Sequence, residues 1–343
     1  MKRIITGILV TCSVAFVNAQ DVHFSQMAYS PLTLNPALAG ANYDLQAVVN
    51  YRTQWNSVAE PFQTMAASYD MRINPNKRNK KGHLALGLNF FNDRAGAARV
   101  TTNNVNLNIA YHILLSDGHT LGGGGYVGWG QRTLDPAAGK WGSQYDGMAY
   151  NPNLGSGENF GSSSFSMFDA GAGLVYTYSA DEQYMSANNS TKINAGFAVY
   201  HLNRPGFSFI NQPDEKMYMR FSGFANAAFG LGNSNFILEP GVYYQQQGKA
   251  REVLFGTYGR YIIQEGSKRT GNLERTSFAL GLFYRNQDAL IAKALFEWSG
   301  LGIGCAYDFN MSTLSAVSRA RGGFEIFLRW TMENPFSAAK SRI

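Results

Sequence analysis

From Gly300 to Met332 the residues alternate so regularly that both faces of each strand can be named. Leu301, Ile303, Cys305, Tyr307 and Phe309 fall on one side, and Gly302, Gly304, Ala306 and Asp308 on the other. After a turn near Ser315 to Gly322, Phe324, Ile326, Leu328 and Trp330 continue the apolar face while Glu325 and Arg329 join the polar one. A period of two belongs to strands and not to helices. The bulk lies on one face, and tiny or charged residues on the other. That arrangement fits lipid outside and a crowded polar lumen inside. The pattern predicts an all-β chain folded as a transmembrane antiparallel β-barrel of the outer-membrane kind.

Composition agrees and removes the helical alternative. Among 343 residues, 45% are hydrophobic, enough for a large core. Yet mean hydropathy is negative, and no run reaches the ~20 apolar residues that a spanning helix needs. Aromatic residues at 14% and 37 glycines suit many strands and the aromatic girdles of a barrel. Lys2 and Arg3 precede an apolar segment from Ile4 to Val17, and Val17-Asn18-Ala19 offers small-residue cleavage, so residues 1–19 read as a secretory signal peptide cleaved near Ala19. Removing the two bases lowers the formal charge from +6 to +4, too mild to argue for nucleic acid as a partner. A lipidation reading of Cys12 is opposed by the bulky Thr11 and by the apolar sequence that continues past it. Cys305 then stands alone, and no metal or redox spacing exists.

Residues 20–43 precede any alternating run and contain Pro31 and Pro36, so they predict a plug-like segment at the periplasmic mouth instead of a spanning strand. Residues 44–332 form one barrel domain, and residues 333–343 a carboxy-terminal tail. Strands are expected at Leu45 to Trp55, Phe62 to Ile73, His83 to Asn92, Val105 to Ile113 and Leu121 to Gln131. They continue at Phe165 to Tyr178, Lys192 to His201, Met217 to Phe229, Asn235 to Gln247, Glu252 to Gln264, Glu274 to Arg285 and Ala289 to Trp298. With the closing pair the count is about fourteen. The basic stretch from Asn74 to Lys81 reads as a solvated turn. Gly122 to Gly125 lack the Gly-Lys-Ser/Thr sequel of a phosphate loop, and instead allow sharp curvature or close approach of a plugging segment. Arg132 to Ser164 is too long for a hairpin turn and predicts an extracellular loop, as does Leu202 to Lys216.

Continuing the inward face by alternation selects His112, Asp169, Arg220, Glu239, Arg260, Arg285, Lys293, Glu297, Asp308, Glu325 and Arg329. Both signs are balanced, and charges withdrawn from water must find partners. A cross-linked lumen, closed or nearly so, is therefore expected in place of an open aqueous channel. Nothing predicts an enzyme or a cofactor. The histidines are dispersed, and there is no Gly-x-Ser-x-Gly elbow or His-Glu-x-x-His. His112 with Asp169 is the one pair left to test for catalysis, and Asp135, Asp146 and Glu158 are spaced too widely for a defined calcium loop. The loop aromatics Trp141, Tyr145, Tyr150, Phe160 and Phe207 are candidate anchors for a protein partner, since rigid rings offer large contact area at little entropic cost. They would equally serve to pack their own loops or to sit at the headgroup belt.

Both ends of the mature chain resemble one family. Phe24-Ser25-Gln26, Asn35-Pro36-Ala37 and Ala39-Gly40, followed by Tyr51-Arg52 and Gln54-Trp55, are similar to the opening blocks of PorP/SprF proteins. Tyr307-Asp308-Phe309-Asn310, Ser312, Leu314 and Gly322 to Ile326 are similar to the closing one, and His201-Leu202 ahead of Pro205 resembles a histidine-leucine block between them. The resemblance implies a non-enzymatic outer-membrane barrel of the type IX secretion system of Bacteroidota. Such barrels assist export or surface attachment of adhesin-type cargo through the cargo's carboxy-terminal signal domain, contact periplasmic machinery, and in some organisms serve gliding motility. The rival readings are a diffusion channel or small-solute transporter, and a lipid-modifying barrel enzyme.

Overall fold

Alternation in this chain is resolved into wall and lumen by exposure: Ile109 is 50% exposed while its neighbours Asn108 and Ala110 are each 1% exposed. The structure, a computed structural model, describes residues 21–332 apart from 56–59, 74–80, 159–161, 181–190, 211, 233, 265–274 and 313–314. The expected signal peptide, the basic turn and the tail fall mainly outside the described residues.

Fourteen antiparallel strands close into one barrel in chain order. They are β1 Leu45–Gln54, β2 Phe62–Ile73, β3 Gly82–Ala95, β4 Val100–Ser116, β5 His119–Thr133, β6 Ser164–Ala180 and β7 Thr191–Tyr200. The ring continues with β8 Arg220–Gly230, β9 Phe236–Gln247, β10 Ala250–Gln264, β11 Thr276–Arg285, β12 Ala289–Trp298, β13 Leu301–Asn310 and β14 Arg321–Met332. Closure sets Leu45 opposite Met332 and Arg52 opposite Glu325 across the β1–β14 seam. The barrel ends differ. One carries the start of β1, the end of β14 and tight turns such as Asp117-Gly118 and Ser299-Gly300; the other carries the long connections 134–163 and 201–219.

Several strand bounds differ from expectation by a few residues, and two of the differences have a plain local reason. His201 leaves β7 with φ of 57° and turns its ring toward Asp21 and Asp169. β8 starts at Arg220 and not Met217, because the Met217 N–H donates to the Pro205 carbonyl within the 201–219 connection. The turn near Ser315 holds one helical turn, Ser315–Ser318.

The amino-terminal segment runs the length of the lumen, farther than a plug confined to the periplasmic mouth. Asp21 meets His201 and Gln247 at the end that bears the long connections, and Gly40 reaches Asp70 and His83 at the opposite end. Between them lie a 3-10 turn at Met27–Tyr29, a helical turn at Pro31–Leu34 and a second 3-10 turn at Pro36–Leu38. Proline opens both later turns, where its missing N–H and fixed φ do no harm. Asn35 fixes the last one by accepting the Ala37 N–H at 2.9 Å, while its amide donates to the Leu174 carbonyl of β6. Tyr29 stacks on Phe327 at 4.2 Å and meets Tyr258 edge-on, so the barrel's apolar core forms between plug and wall.

Glycine provides the room for this contact. A Cβ at Gly173 would stand 2.1 Å from the Asn35 amide oxygen, and one at Gly124 would stand 2.8 Å from the Ala37 Cα. Gly124 of β5 and Gly173 of β6 are thus the floor on which the plug rests. Replacing Gly173 by Val is expected to lift the segment off β6. Limited proteolysis should then cleave within residues 21–44 while the heat-modifiable gel mobility of a closed barrel persists; resistance equal to that of the parent chain would contradict this packing.

Candidate functional site

Ser25 is fully buried and stands at the centre of the lumen's largest ionic cluster. Its hydroxyl is 2.8 Å from both carboxylate oxygens of Asp308 and accepts from Arg285 at 2.6 Å and from Arg52. Its N–H and that of Gln26 donate to Glu325 at 2.7 and 3.0 Å, and its carbonyl accepts from Lys293 at 2.6 Å. Arg52 joins Asp308 and Glu325 at 3.0 and 3.1 Å, and Arg285 joins Asp308 at 3.0 Å and Glu252 at 3.2 Å. Three bases thus face three acids in the interior, with Arg285 also reaching the half-exposed Asp288 at 3.0 Å and plug backbone filling the coordination they leave open. Breaking such a buried pair from one side typically costs about 3–5 kcal/mol.

A second cluster holds the first described residue of the segment. Asp21 lies 2.5 Å from His201 Nε2 and 3.5 Å from Arg220, while His201 Nδ1 lies 2.9 Å from Asp169, which also accepts from the Tyr126 hydroxyl at 2.7 Å. Burial pulls the His201 imidazole down, but Asp21 and Asp169 outweigh it and push it up to about 9. Burial likewise works against an Asp21 carboxylate, yet His201 and Arg220 hold it well below the usual range. The pair is an imidazolium between two carboxylates. His23 behaves oppositely: burial brings it down to about 4, Glu252 at 4.0 Å does not restore it, and Arg52 and Arg285 push further down.

The third cluster is a ladder near the opposite end, where Arg260 joins Glu239 at 2.6 Å and also Glu297, which in turn binds Arg329. Beside it opens a cavity of about 520 Å³. Two further cavities, one beside Asp21 and Glu252 and one beside Asp21 and Asp169, are about 20 Å³ each, room for roughly one water apiece.

The inward-facing residues named from alternation lie on the lumen side, but in separate groups. His112 is bound at Nε2 to the Ala39 carbonyl at 2.8 Å and stacks on His83, whereas Asp169 belongs with Tyr126 and His201; the structure does not join them as a catalytic pair. Asp135 and Asp146 each cap backbone N–H groups of their own turns, and no group of three metal-ligating side chains occurs among the described residues. Of the loop aromatics, Trp141 donates its indole N–H to the Pro136 carbonyl, and Phe207 packs on Phe165 and under Arg132, so both shape their own loops. Tyr145 and Tyr150 pair across a short bridge and are 59% and 41% exposed, with Met148 at the tip 92% exposed. Phe160 falls outside the described residues. Ser25, Arg52, Asp21 and His201 carry the plug contacts and were not singled out as lumen residues. Ser25, Arg52 and His201 do sit inside motifs that the sequence shares with a family, the one signal available for them.

A closed fourteen-strand antiparallel ring, apolar outside, ionic within and filled by its own amino-terminal segment, defines an outer-membrane β-barrel. The chain belongs to the PorP/SprF family: the model for the type IX secretion system membrane protein PorP/SprF matches residues 16–330. No curated protein matches it. Solved barrels are similar in overall shape only. The toluene transporter TbuX of Ralstonia pickettii has 12% identity and a TM-score of 0.47, covering 89% of this chain and 94% of that one. A Pseudomonas aeruginosa FadL homologue has 9% identity and a TM-score of 0.43, covering 87% and 92%. The translocator domain of the autotransporter NalP from Neisseria meningitidis has 12% identity and a TM-score of 0.35, covering 85% and 89%.

The His201 shift sets a pH dependence. Its folded value of about 9 lies above the ordinary 6.5, so its hold on Asp21 is complete below about 6.5 and is lost as pH rises through about 9. Protease access to the plug's amino end is expected to increase across that window, and His201→Asn should remove the step. Access that stays flat to pH values above 9 in the parent chain would refute the imidazolium bridge.

Proposed function

We propose that the barrel assists secretion or surface attachment of type IX cargo by holding the cargo's carboxy-terminal signal domain on its outer loops, with its opposite end turned to periplasmic machinery. One observation carries this reading: the lumen is occupied along its length by residues 21–44, bound at both ends and in the middle, so the molecule offers surfaces more than a passage. Bacterial barrels place short turns in the periplasm and long loops outside. The 134–163 connection therefore faces the cell surface.

Within that connection, Asp146 caps the Met148 and Ala149 N–H groups and so rigidifies the bridge that presents Tyr145, Met148 and Tyr150. A preformed, exposed aromatic and thioether tip suits a protein partner, because little entropy is lost when it docks. Trp141 and Phe207 support the reading differently, as residues that hold the loops in place. A diffusion channel would require the ionic clusters to release the plug, and a lipid-modifying enzyme would require reactive groups where His112 and Asp169 instead have separate partners.

Deleting the gene in its native bacterium is expected to remove a secreted protein with a terminal signal domain from the cell surface while small-solute permeability stays unchanged. Combined Tyr145→Ala, Met148→Ser and Tyr150→Ala substitutions should lower surface retention of that protein by about tenfold or more at normal barrel levels. Unaltered surface proteins in the deletion strain would sink the proposal.

A further inference from the structure

We infer that the large lumen cavity is entered from the membrane, through the wall between β8 and β9, and holds a single-chain lipid amphiphile with an uncharged hydroxyl or amide head. The ladder joining these strands runs from Arg220 and Gln247 to Asn226 and Gly241, and resumes in the same register at Phe229 and Leu238. The two pairs between, Ala227 with Pro240 and Ala228 with Glu239, are missing from it. The same four residues pair normally with β7 and β10 on their far sides. Pro240 supplies the reason, since without an N–H it cannot complete a ladder, and proline within a sheet marks an edge or an irregularity. The other ladders lose register only near strand ends.

The interruption lies inside the lipid-facing band. Phe229 and Leu238 on one side of it, and Val242 and Tyr244 on the other, are exposed on the outer face. Ala227 and Pro240 belong to that outer row by alternation, so at the gap the row shrinks to a methyl group and a pyrrolidine ring. Both residues also line the cavity of about 520 Å³, as do Ala228 and Glu239. Irregular backbone is tolerated at membrane depth only where protein or a cavity backs it, and here a cavity does. Parting two strands elsewhere would break ladder bonds in lipid; at this point they are already absent.

The position of the gap selects the occupant. A port that faces hydrocarbon admits what dissolves in hydrocarbon, and the plug, through Tyr29, Leu34 and Leu38, bounds the space behind it. Phe224, Tyr243 and Phe283 offer an aliphatic chain apolar surface there. The head is selected by hydrogen bonding. The Tyr258 hydroxyl and the Asn194 amide oxygen line the same cavity, buried and without a hydrogen-bond partner among the described residues. Tyr258 is opposite Glu239 in the β9–β10 ladder and Asn194 is opposite Asn226 in the β7–β8 ladder, so they flank the gap on its two sides. A hydroxyl or amide can accept from the first or donate to the second, and neither contact calls for a charge.

The test is photolabelling of the full-length barrel in phosphatidylcholine nanodiscs. One sample contains hexadecanol with a diazirine in its chain, and a parallel sample contains a phospholipid with the diazirine in one acyl chain. Mass spectrometry of the digests should find the alcohol on Phe224, Tyr243 or Phe283, which face the lumen, as well as on Leu238 and Val242 of the outer face. Pro240→Val, which restores the N–H, and Ala228→Trp, which fills the space behind the gap, should each lower lumen labelling about tenfold or more while outer-face labelling persists. Heat-modifiable gel mobility would verify that each variant has closed, and the parent chain's own labelling pattern decides the matter if either has not. No lumen label in the parent chain, lumen label unmoved by both closed variants, or lumen label from the phospholipid alone would overturn the inference. Cargo export is not read in this assay, so its outcome stands apart from the secretion reading.

Discussion

The buried charge of the lumen is the constraint on which the rest of the structure depends. Arg52 is 1% exposed and sits between Asp308 and Glu325, and taking such groups from water carries an effective penalty of several kcal/mol per ion unless partners surround them. The strands alone do not supply all of those partners. Ser25 contributes a hydroxyl, an N–H and a carbonyl to the middle of the cluster, and Gln26 adds another N–H. The plug is therefore part of the electrostatics of the wall. Because Arg52 and Glu325 are opposite each other in β1 and β14, the same cluster also spans the seam that closes the ring.

The outer face obeys a simpler rule and was accordingly plain in the sequence. Lipid requires an apolar side chain at every second position, so Val105, Leu107, Ile109 and Tyr111, or Leu301 and Ile303, declare strand, direction and sidedness without reference to any other residue. Fourteen strands and their order follow from repeating that reading. Boundaries were harder where tertiary contacts decide them: His201 fits β7 by alternation, but its ring is claimed by two carboxylates from distant segments.

The lumen was legible only as a set. Alternation names Arg220, Glu239, Lys293, Asp308 and Glu325 as inward, yet which of them meet depends on strand stagger and on the path of a segment that has no period at all. His112 and Asp169 share an orientation and belong to different groups. Ser25 gave no physical sign of being a hub, since one serine near a chain end looks like any other. The glycines of β5 were more informative. The absent side chain of Gly124 reported a close neighbour, the turn at Pro36–Leu38, whereas Gly122 makes room for His112 and Gly123 and Gly125 meet β6. In this family member the interior is filled, and the stiffened tip between Tyr145 and Tyr150 stays exposed.

The plug's seal is tested most directly by single-channel recording in planar bilayers, comparing the barrel that keeps residues 21–43 with one lacking them. A lumen closed by its own amino-terminal segment predicts no steady ion conductance for the first and a stable, open-pore conductance for the second. Steady pore conductance from the intact chain, equal to that of the shortened one, would contradict the account.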